Sequence, residues 1–146
     1  MILVGTPLSL HGRSEFAEVI HRLTDPVTEE WVRNFLSGFP LAHRVPGWFF
    51  DDRVREGAAM PAHACKAIFN GLCTAPPPTE SGTIDSPTLL LWGARDGAFS
   101  IKEQETLAGR IAGAKLKVYP DAGHLVLWEY PERVAQHTTA FLGALH

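Results

Sequence analysis

The sequence predicts an α/β fold built on a parallel sheet of about three strands, with a run of helices inserted between the first two strands. Residues 2–4 and 88–92 are continuous apolar runs that end at glycine, which is typical of strands buried on both faces of a sheet. Residues 115–119 alternate lysine with apolar side chains, which favours a strand near the sheet edge. Helical patterns separate the three runs, and parallel strands need such crossovers.

The composition fits a single globular domain. The 146 residues are 45% hydrophobic and 20% charged, which gives enough apolar surface for a real core. A net charge of −3 argues against a nucleic-acid partner, which would require a basic face. No leader peptide opens the chain and no apolar run is long enough to span a bilayer, so we expect a cytoplasmic protein without a membrane partner.

Cysteine and histidine spacing gives no sign of a metal site. Cys65 and Cys73 form no C-x-x-C pair and are predicted to be free thiols rather than part of a disulfide framework. The seven histidines show neither H-x-H nor H-E-x-x-H spacing. We therefore predict no metal and no cofactor.

The inserted segment has a helical pattern. Its first helix is predicted to follow a cap at Ser14, and its second to begin with Asp25 as N-cap and Pro26 in the first turn. Two further helices are predicted over 48–57 and 61–72. The residues of the first helix that we expect to face inward are Phe16, Val19, Ile20 and Leu23.

A proline-rich stretch at 75–78 is predicted to be a stiff linker that closes the helical segment. The chain is therefore expected to have three parts. Residues 1–13 form a core strand and the entry to the cap, residues 14–80 form an all-helical cap or lid, and residues 81–146 form the C-terminal α/β core.

Aromatic side chains are abundant in the helical segment and have two interpretations. They form a packed helical core, as apolar stripes mostly do, or some of the rings line an apolar substrate pocket. Under the second interpretation, the candidate pocket residues are Trp31, Phe35, Trp48, Phe49 and, outside the segment, Leu125.

After the linker the chain returns to strand and helix alternation. Ser100 and Glu103 have the spacing of a capping box, which predicts a helix that begins there and ends at Gly113. Pro131 is predicted to start the closing helix. The apolar stripe of that helix comprises Val134, Thr138, Phe141, Leu142 and Leu145.

Asp96 and His124 each follow a predicted strand, at the sheet edge where chemistry collects in open parallel sheets. If the two strands are neighbours, the carboxylate can hold one imidazole nitrogen and leave the other as a base. Gly123 is predicted to let the backbone bend tightly before the histidine. Either residue alone is better explained as a turn or surface group. Together, in the order acid then histidine, they favour a catalytic pair.

Three segments resemble the last third of the α/β-hydrolase family. They are the strand and turn 84–96, which ends SPTLLLWGARD, the tetrapeptide DAGH at 121–124, and the closing helix 131–142. The opening residues 2–7 resemble the family's strand just after the nucleophile helix, and the helical segment resembles its cap domain. The W-G-x-x-D and G-H pair at this spacing is more specific for the fold than for a substrate.

The resemblance implies that Asp96 is the triad acid and His124 the general base. Some members of the family place the acid after the preceding strand. This chain has Thr6, Pro7 and Leu8 at that place, so Asp96 is the better candidate.

The resemblance also implies a nucleophile in a G-x-S-x-G turn and an oxyanion-hole loop, both upstream of the strand that opens this chain. No G-x-S-x-G motif occurs in the sequence. Ser14, in GRSEF, lacks the second glycine and is interpreted as a helix cap. We therefore expect a C-terminal hydrolase portion that is inactive by itself, because the nucleophile and oxyanion hole supply most of the catalysis.

Three functions are compatible with this pattern. The full-length parent is expected to cleave a small, rather apolar ester- or lactone-type substrate through a covalent intermediate. Alternatively, the chain is a non-catalytic remnant that binds a ligand or a partner, or a fragment of an epoxide hydrolase or dehalogenase type of member. The DNA upstream of the codon for Met1 would distinguish them, because serine in the nucleophile turn indicates an esterase and aspartate indicates epoxide or halide chemistry.

The strand 2–4 is expected to have one unpaired edge in this chain, because its other neighbour in the family carries the nucleophile. Unpaired apolar edges promote association. We therefore predict that the isolated chain associates through this edge or is poorly soluble.

Overall fold

The computed structural model describes residues 1–11, 14–81 and 84–145. Three parallel strands form one sheet in the order β1-β2-β3, namely β1 Ile2–Val4, β2 Leu89–Gly93 and β3 Lys115–Tyr119. The predicted α/β class and the three-stranded parallel sheet are confirmed.

The central strand β2 is buried along its whole length. It pairs with both neighbours, so that Leu90 lies beside Leu3 on one side and Leu116 on the other. Leu89 and Leu91 pack into one apolar cluster and Leu90 into another, on opposite faces of the sheet. Both faces are therefore covered, and this explains why the strand has a continuous apolar sequence rather than an alternating one.

Helices make up most of the remaining described chain. The helices predicted over 48–57 and 61–72 are present as α3 (Gly47–Ala58) and α4 (Ala62–Thr74), whereas the short helix α5 (Pro78–Ser81) begins at the last residue of the predicted linker. None of the described helices combines the length and apolar character that crossing a bilayer requires. The helices are α1 Ser14–His21, α2 Glu29–Ser37, α3 Gly47–Ala58, α4 Ala62–Thr74, α5 Pro78–Ser81, α6 Ile101–Gly109, α7 Val126–Glu129 and α8 Pro131–Gly143.

The chain divides into two compact units. One draws on Met1–Leu8, Phe39–Val45 and the chain from Pro77 onward, and it holds the sheet. The other draws on Ser9–Gly38 and Pro46–Pro76, and it holds α1 to α4. The segment 39–45 therefore packs with the sheet unit although it lies inside the predicted helical part. The role of the helical unit as a cap stays a prediction.

The helical unit has its own apolar core, and its second helix does not begin where the sequence predicted. Thr28, not Asp25, is the N-cap of α2, since its hydroxyl accepts the N–H of Trp31 at 3.2 Å. The Asp25 carboxylate accepts the N–H of Ala62 at 2.7 Å instead, at the start of α4. Asp25 therefore caps a helix 37 residues away along the chain, which no local pattern reveals. The buried core residues are Leu23, Val27, Val32, Val54 and Ala62.

Three residues predicted to face inward are exposed, namely Val19, Leu142 and Leu145. In α8 only a narrow stripe is buried, marked by Val134 and Phe141 seven residues apart. Leu142 lies about 100° further round the helix than Phe141, and Leu145 comes after the helix ends at Gly143. The capping box of α6 is confirmed, with Ser100 and Glu103 bonded to each other's backbone N–H.

Strand β1 pairs with β2 on one side only, and among the described residues no strand pairs with its other side. Association through this edge stays a prediction. We expect size-exclusion chromatography with light scattering to give a mass above that of the monomer, and the mass should rise with concentration. A single monomeric species at every concentration would contradict this expectation.

Candidate active site

The structure brings Asp96 and His124 together at the carboxyl edge of the sheet. Gly93 and Tyr119, the last residues of β2 and β3, are register partners, so the loops that follow them start side by side. His124 Nδ1 lies 2.9 Å from Asp96 Oδ2. Asp96 and His124 are expected to meet because their strands end at the same edge of the sheet, and in the structure they form a direct hydrogen bond.

The Asp96 carboxylate is held in its ionised form. Its side chain is 0% exposed, and burial by itself would raise the pKa of this carboxyl. Hydrogen bonds from His124 and from the backbone N–H groups of Ala98 and Phe99 outweigh burial, so the pKa of Asp96 is held below its usual value. In a neutral imidazole, an ionised carboxylate at Nδ1 holds the proton on that nitrogen and leaves Nε2 as an acceptor.

Aromatic and backbone groups enclose the His124 imidazole. Phe39 stacks on it with ring centroids 5.0 Å apart, and Phe99 meets it edge-on at 5.2 Å. Gly5, just after β1, adopts a φ of +55°, and a Cβ there would lie 3.0 Å from the His124 carbonyl oxygen. The three strand ends thus converge on His124, whose side chain remains 18% exposed. The ring is held in one place but stays partly exposed.

Gly93 and Gly123 each allow close contact with a neighbouring stretch of backbone. A Cβ on Gly93 would lie 2.1 Å from the Gly123 carbonyl oxygen, which leaves no room for a side chain. A Cβ on Gly123 would lie 2.8 Å from the Pro40 carbonyl oxygen. Only Gly5 and Gly113 have positive φ among the described glycines. Gly123 has no positive φ, and close contact with its neighbours is what excludes a side chain there.

Glu129 is a buried carboxylate that the sequence analysis missed. Its Oε2 accepts the backbone N–H groups of Ala42 at 2.9 Å and His43 at 2.8 Å. Its Oε1 accepts the N–H of Gly123 at 2.8 Å. The side chain belongs to a residue that is only 8% exposed. The signal that could have found it is a single charge in the otherwise apolar run LVLWEY.

A second polar cluster lies next to Glu129 and also involves the segment 39–45. The Tyr130 hydroxyl donates to Asp121 Oδ2 at 2.5 Å and is hydrogen-bonded to His43 Nε2. Burial, and then the bond to Asp121, raises the pKa of Tyr130 to about 12. The same bond lowers the pKa of the Asp121 carboxyl. The Arg133 guanidinium lies 4.8 Å from the Tyr130 ring and adds a cation–π contact.

The predicted pocket residues are divided between the two units. In the helical unit Trp31 stacks on Phe35 at 5.3 Å, and Trp48 meets Phe49 edge-on at 5.9 Å. Trp31 packs against the core of that unit, whereas Trp48 is 69% exposed. Leu125 belongs to the sheet unit and is partly buried beside His124. The role of these five residues in a substrate pocket stays a prediction.

One cavity of the sheet unit, with a volume of about 240 Å³, lies away from the pair. It opens at the first residues of β2 and β3, at the amino end of the sheet. His137, which lines this cavity, has its Nδ1 2.6 Å from the hydroxyl of Tyr119, and burial raises the pKa of Tyr119 and lowers that of His137. Among the described residues, no group of three or more potential ligands is arranged to hold a metal ion. The cavity is lined by Leu89, Lys115, Lys117, His137, Ala140, Phe141 and Ala144.

Comparison with known proteins identifies the family. The sequence model of the alpha/beta hydrolase fold matches residues 50–131, which is more than half of the chain. The chain belongs to the α/β-hydrolase family. The matched residues of the chain include Asp96 and His124.

Curated relatives match about two fifths of the chain. Monoacylglycerol lipase abhd6-A from Xenopus laevis is 36% identical over 62 residues, 42% of this chain and 18% of that protein. Epoxide hydrolase 3 from Mus musculus is 33% identical over 67 residues, 44% of this chain and 18% of that protein. The matches thus cover about a fifth of each relative.

A solved esterase, EaEST from Exiguobacterium antarcticum, has the same fold as this chain. The TM-score is 0.80 at 16% identity, and the match covers 97% of this chain and 56% of the esterase. The chain therefore spans little more than half the length of that solved esterase.

Proposed function

We propose that this chain is the acid- and histidine-bearing part of a hydrolase that cleaves a small, rather apolar ester- or lactone-type substrate. The observation that carries the proposal is the 2.9 Å hydrogen bond between His124 Nδ1 and Asp96 Oδ2 at the ends of adjacent strands. Membership of the α/β-hydrolase family supports hydrolysis as the reaction class. The aromatic side chains of the helical unit support an apolar substrate.

The proposed mechanism uses His124 as a proton carrier. Nε2 takes the proton of a nucleophilic hydroxyl as that oxygen attacks the substrate carbonyl, and it gives the proton to the departing alcohol. Nε2 next takes a proton from water as the water oxygen attacks the acyl-enzyme. The proton returns to the nucleophile's oxygen as the acid product leaves. Asp96 holds Nδ1–H throughout and stabilises the imidazolium that forms at each step.

The nucleophile and the oxyanion hole are proposed to lie in a segment that precedes Met1 in the parent protein. The absence of a G-x-S-x-G turn from the sequence supports this, as does coverage of only 56% of the solved esterase. The similarity to Epoxide hydrolase 3 supports a second candidate, in which the nucleophile is an aspartate and the substrate an epoxide.

The test begins with the DNA upstream of the codon for Met1. We expect an in-frame G-x-S-x-G region, and an extended protein that hydrolyses p-nitrophenyl butyrate in a burst followed by steady turnover. A G-x-D-x-G region and epoxide opening would favour the second candidate. If the reading frame truly begins at Met1, the proposal fails and a non-catalytic binding role replaces it.

Residues 1–146 by themselves provide a complementary measurement. Their rate of p-nitrophenyl butyrate hydrolysis should equal that of a His124→Ala variant, because the sequence contains no nucleophile in a G-x-S-x-G turn. A rate clearly above the variant's would mean that a residue of this chain supplies the nucleophile.

A further inference from the structure

We infer that Glu129 is a positioning residue for His124, holding both the backbone before the imidazole and the segment that places Phe39 against it. The inference rests on the proposed role of His124 as the general base. It adds a residue that no spacing rule identifies.

The Glu129 carboxylate is surrounded by hydrogen-bond donors from the backbone. Three backbone N–H groups converge on it, all within 2.8–2.9 Å. Hydrogen bonds to an ionised acceptor are roughly twice as strong as neutral ones. The donors come from places far apart in sequence, 86 and 87 residues upstream and 6 residues upstream. One buried side chain therefore fastens the segment 39–45 to the loop that carries His124.

Glu129 is connected to the His124 imidazole through Gly123 and Phe39. Gly123, which donates to Oε1, immediately precedes His124. It is in close contact with both Glu129 and the segment 39–45, since a Cβ on Gly123 would be 2.8 Å from the Pro40 carbonyl oxygen and 3.0 Å from Glu129 Oε1. Phe39, at the start of the same segment, stacks on the His124 ring. Movement of either anchored backbone would shift the ring or its aromatic neighbour.

Both oxygens of the Glu129 carboxylate are needed as acceptors. All three hydrogen bonds go to backbone N–H groups, so Glu129 acts on His124 through the loop. Oε2 accepts two donors and Oε1 accepts one. An amide has one acceptor oxygen and one donor NH₂ group. A glutamine here can therefore accept either the two N–H groups of Ala42 and His43 or the single N–H of Gly123. It cannot satisfy both.

The experiment is NMR on the 146-residue chain with Glu129→Gln. In the parent chain we expect His124 to show one tautomer, with the proton on Nδ1. In the variant we expect a mixture of tautomers or a broadened ring signal, and amide exchange at Gly123 about tenfold faster or more. Glu129→Asp, one methylene shorter, should change the same signals if the glutamine variant does not fold.

Two control variants separate positioning from general stability. Glu132→Gln makes the same chemical change three residues later at an exposed position, and it should leave the His124 signals unchanged. Val134→Ala removes packing from the buried face of α8 and should lower stability without altering the tautomer of His124. A His124 spectrum in Glu129→Gln or Glu129→Asp that matches Val134→Ala would overturn the inference.

Asp96→Asn distinguishes this inference from the proposed function. It should move the imidazole proton from Nδ1 to Nε2, because the carboxylate that holds Nδ1–H is gone and an amide NH₂ group takes its place. If Asp96→Asn leaves the His124 signals unchanged, the proposed catalytic pair fails. If Asp96→Asn changes them and neither Glu129 variant does, only the positioning role fails.

Discussion

Asp96→Asn is expected to lower kcat by about 10⁴-fold in the protein that carries this chain together with its nucleophile, with little change in KM. An asparagine can turn its NH₂ group toward Nδ1 of His124, which moves the imidazole proton to Nε2 and removes the base. Its amide oxygen can still accept the N–H groups of Ala98 and Phe99, so the loop should keep its shape. Steady-state hydrolysis of a p-nitrophenyl ester measures both constants.

Asp121→Asn is the matched control for this substitution. Asp121 lies in the loop that carries His124, but its carboxylate is hydrogen-bonded by Tyr130 rather than by the imidazole. The same loss of charge there should leave kcat within a few fold of the parent. Equal losses in the two variants would show that the effect is one of loop stability and not of the tautomer.

Gly93→Ala is expected to destabilise the fold by about 3 kcal/mol or more, at or above the upper end of ordinary overpacking. The added Cβ would lie 2.1 Å from the Gly123 carbonyl oxygen and 2.4 Å from that of Ala122. These are backbone atoms and cannot rotate away. The Arg95 N–H also donates to the Ala122 carbonyl at 2.9 Å, which fixes the two loops together. Since domains are stable by only about 5–15 kcal/mol, urea denaturation should show a large shift or no native baseline.

Gly97→Ala provides the reference for this measurement. Gly97 follows Asp96 in the same loop, and a Cβ there would meet no atom within 4 Å. Its unfolding free energy should stay within about 0.5 kcal/mol of the parent. Equal urea midpoints for the two alanine variants would show that the loops are not in the close contact described.

The parts of the fold that follow from local patterns could be predicted from the sequence. The burial of β2 on both faces produces a continuous apolar run, and the lysines of β3 mark it as an edge strand. The approach of Asp96 to His124 follows from the same sheet, because parallel neighbours end at the same edge. The capping box of α6 is likewise a local pattern, and its hydrogen bonds are present.

The parts that depend on contacts distant in sequence could not be predicted. Asp25 precedes a proline and has the signature of a helix start, but its carboxylate accepts the N–H of Ala62 at the start of α4. Glu129 accepts N–H groups 86 and 87 residues away, and the residues next to it in sequence do not indicate those partners. Gly123 is a glycine because of atoms in the segment 39–45, not because of its own φ.

The chain passes between the two units four times, at 8–9, 38–39, 45–46 and 76–77. An engineer who wished to exchange the helices with those of a relative would therefore need two separate grafts. Replacing residues 9–76 as one block would also discard the backbone donors to Glu129 and the ring of Phe39. A chimera that keeps Phe39–Val45 should preserve the surroundings of His124, and one that omits this short segment should not.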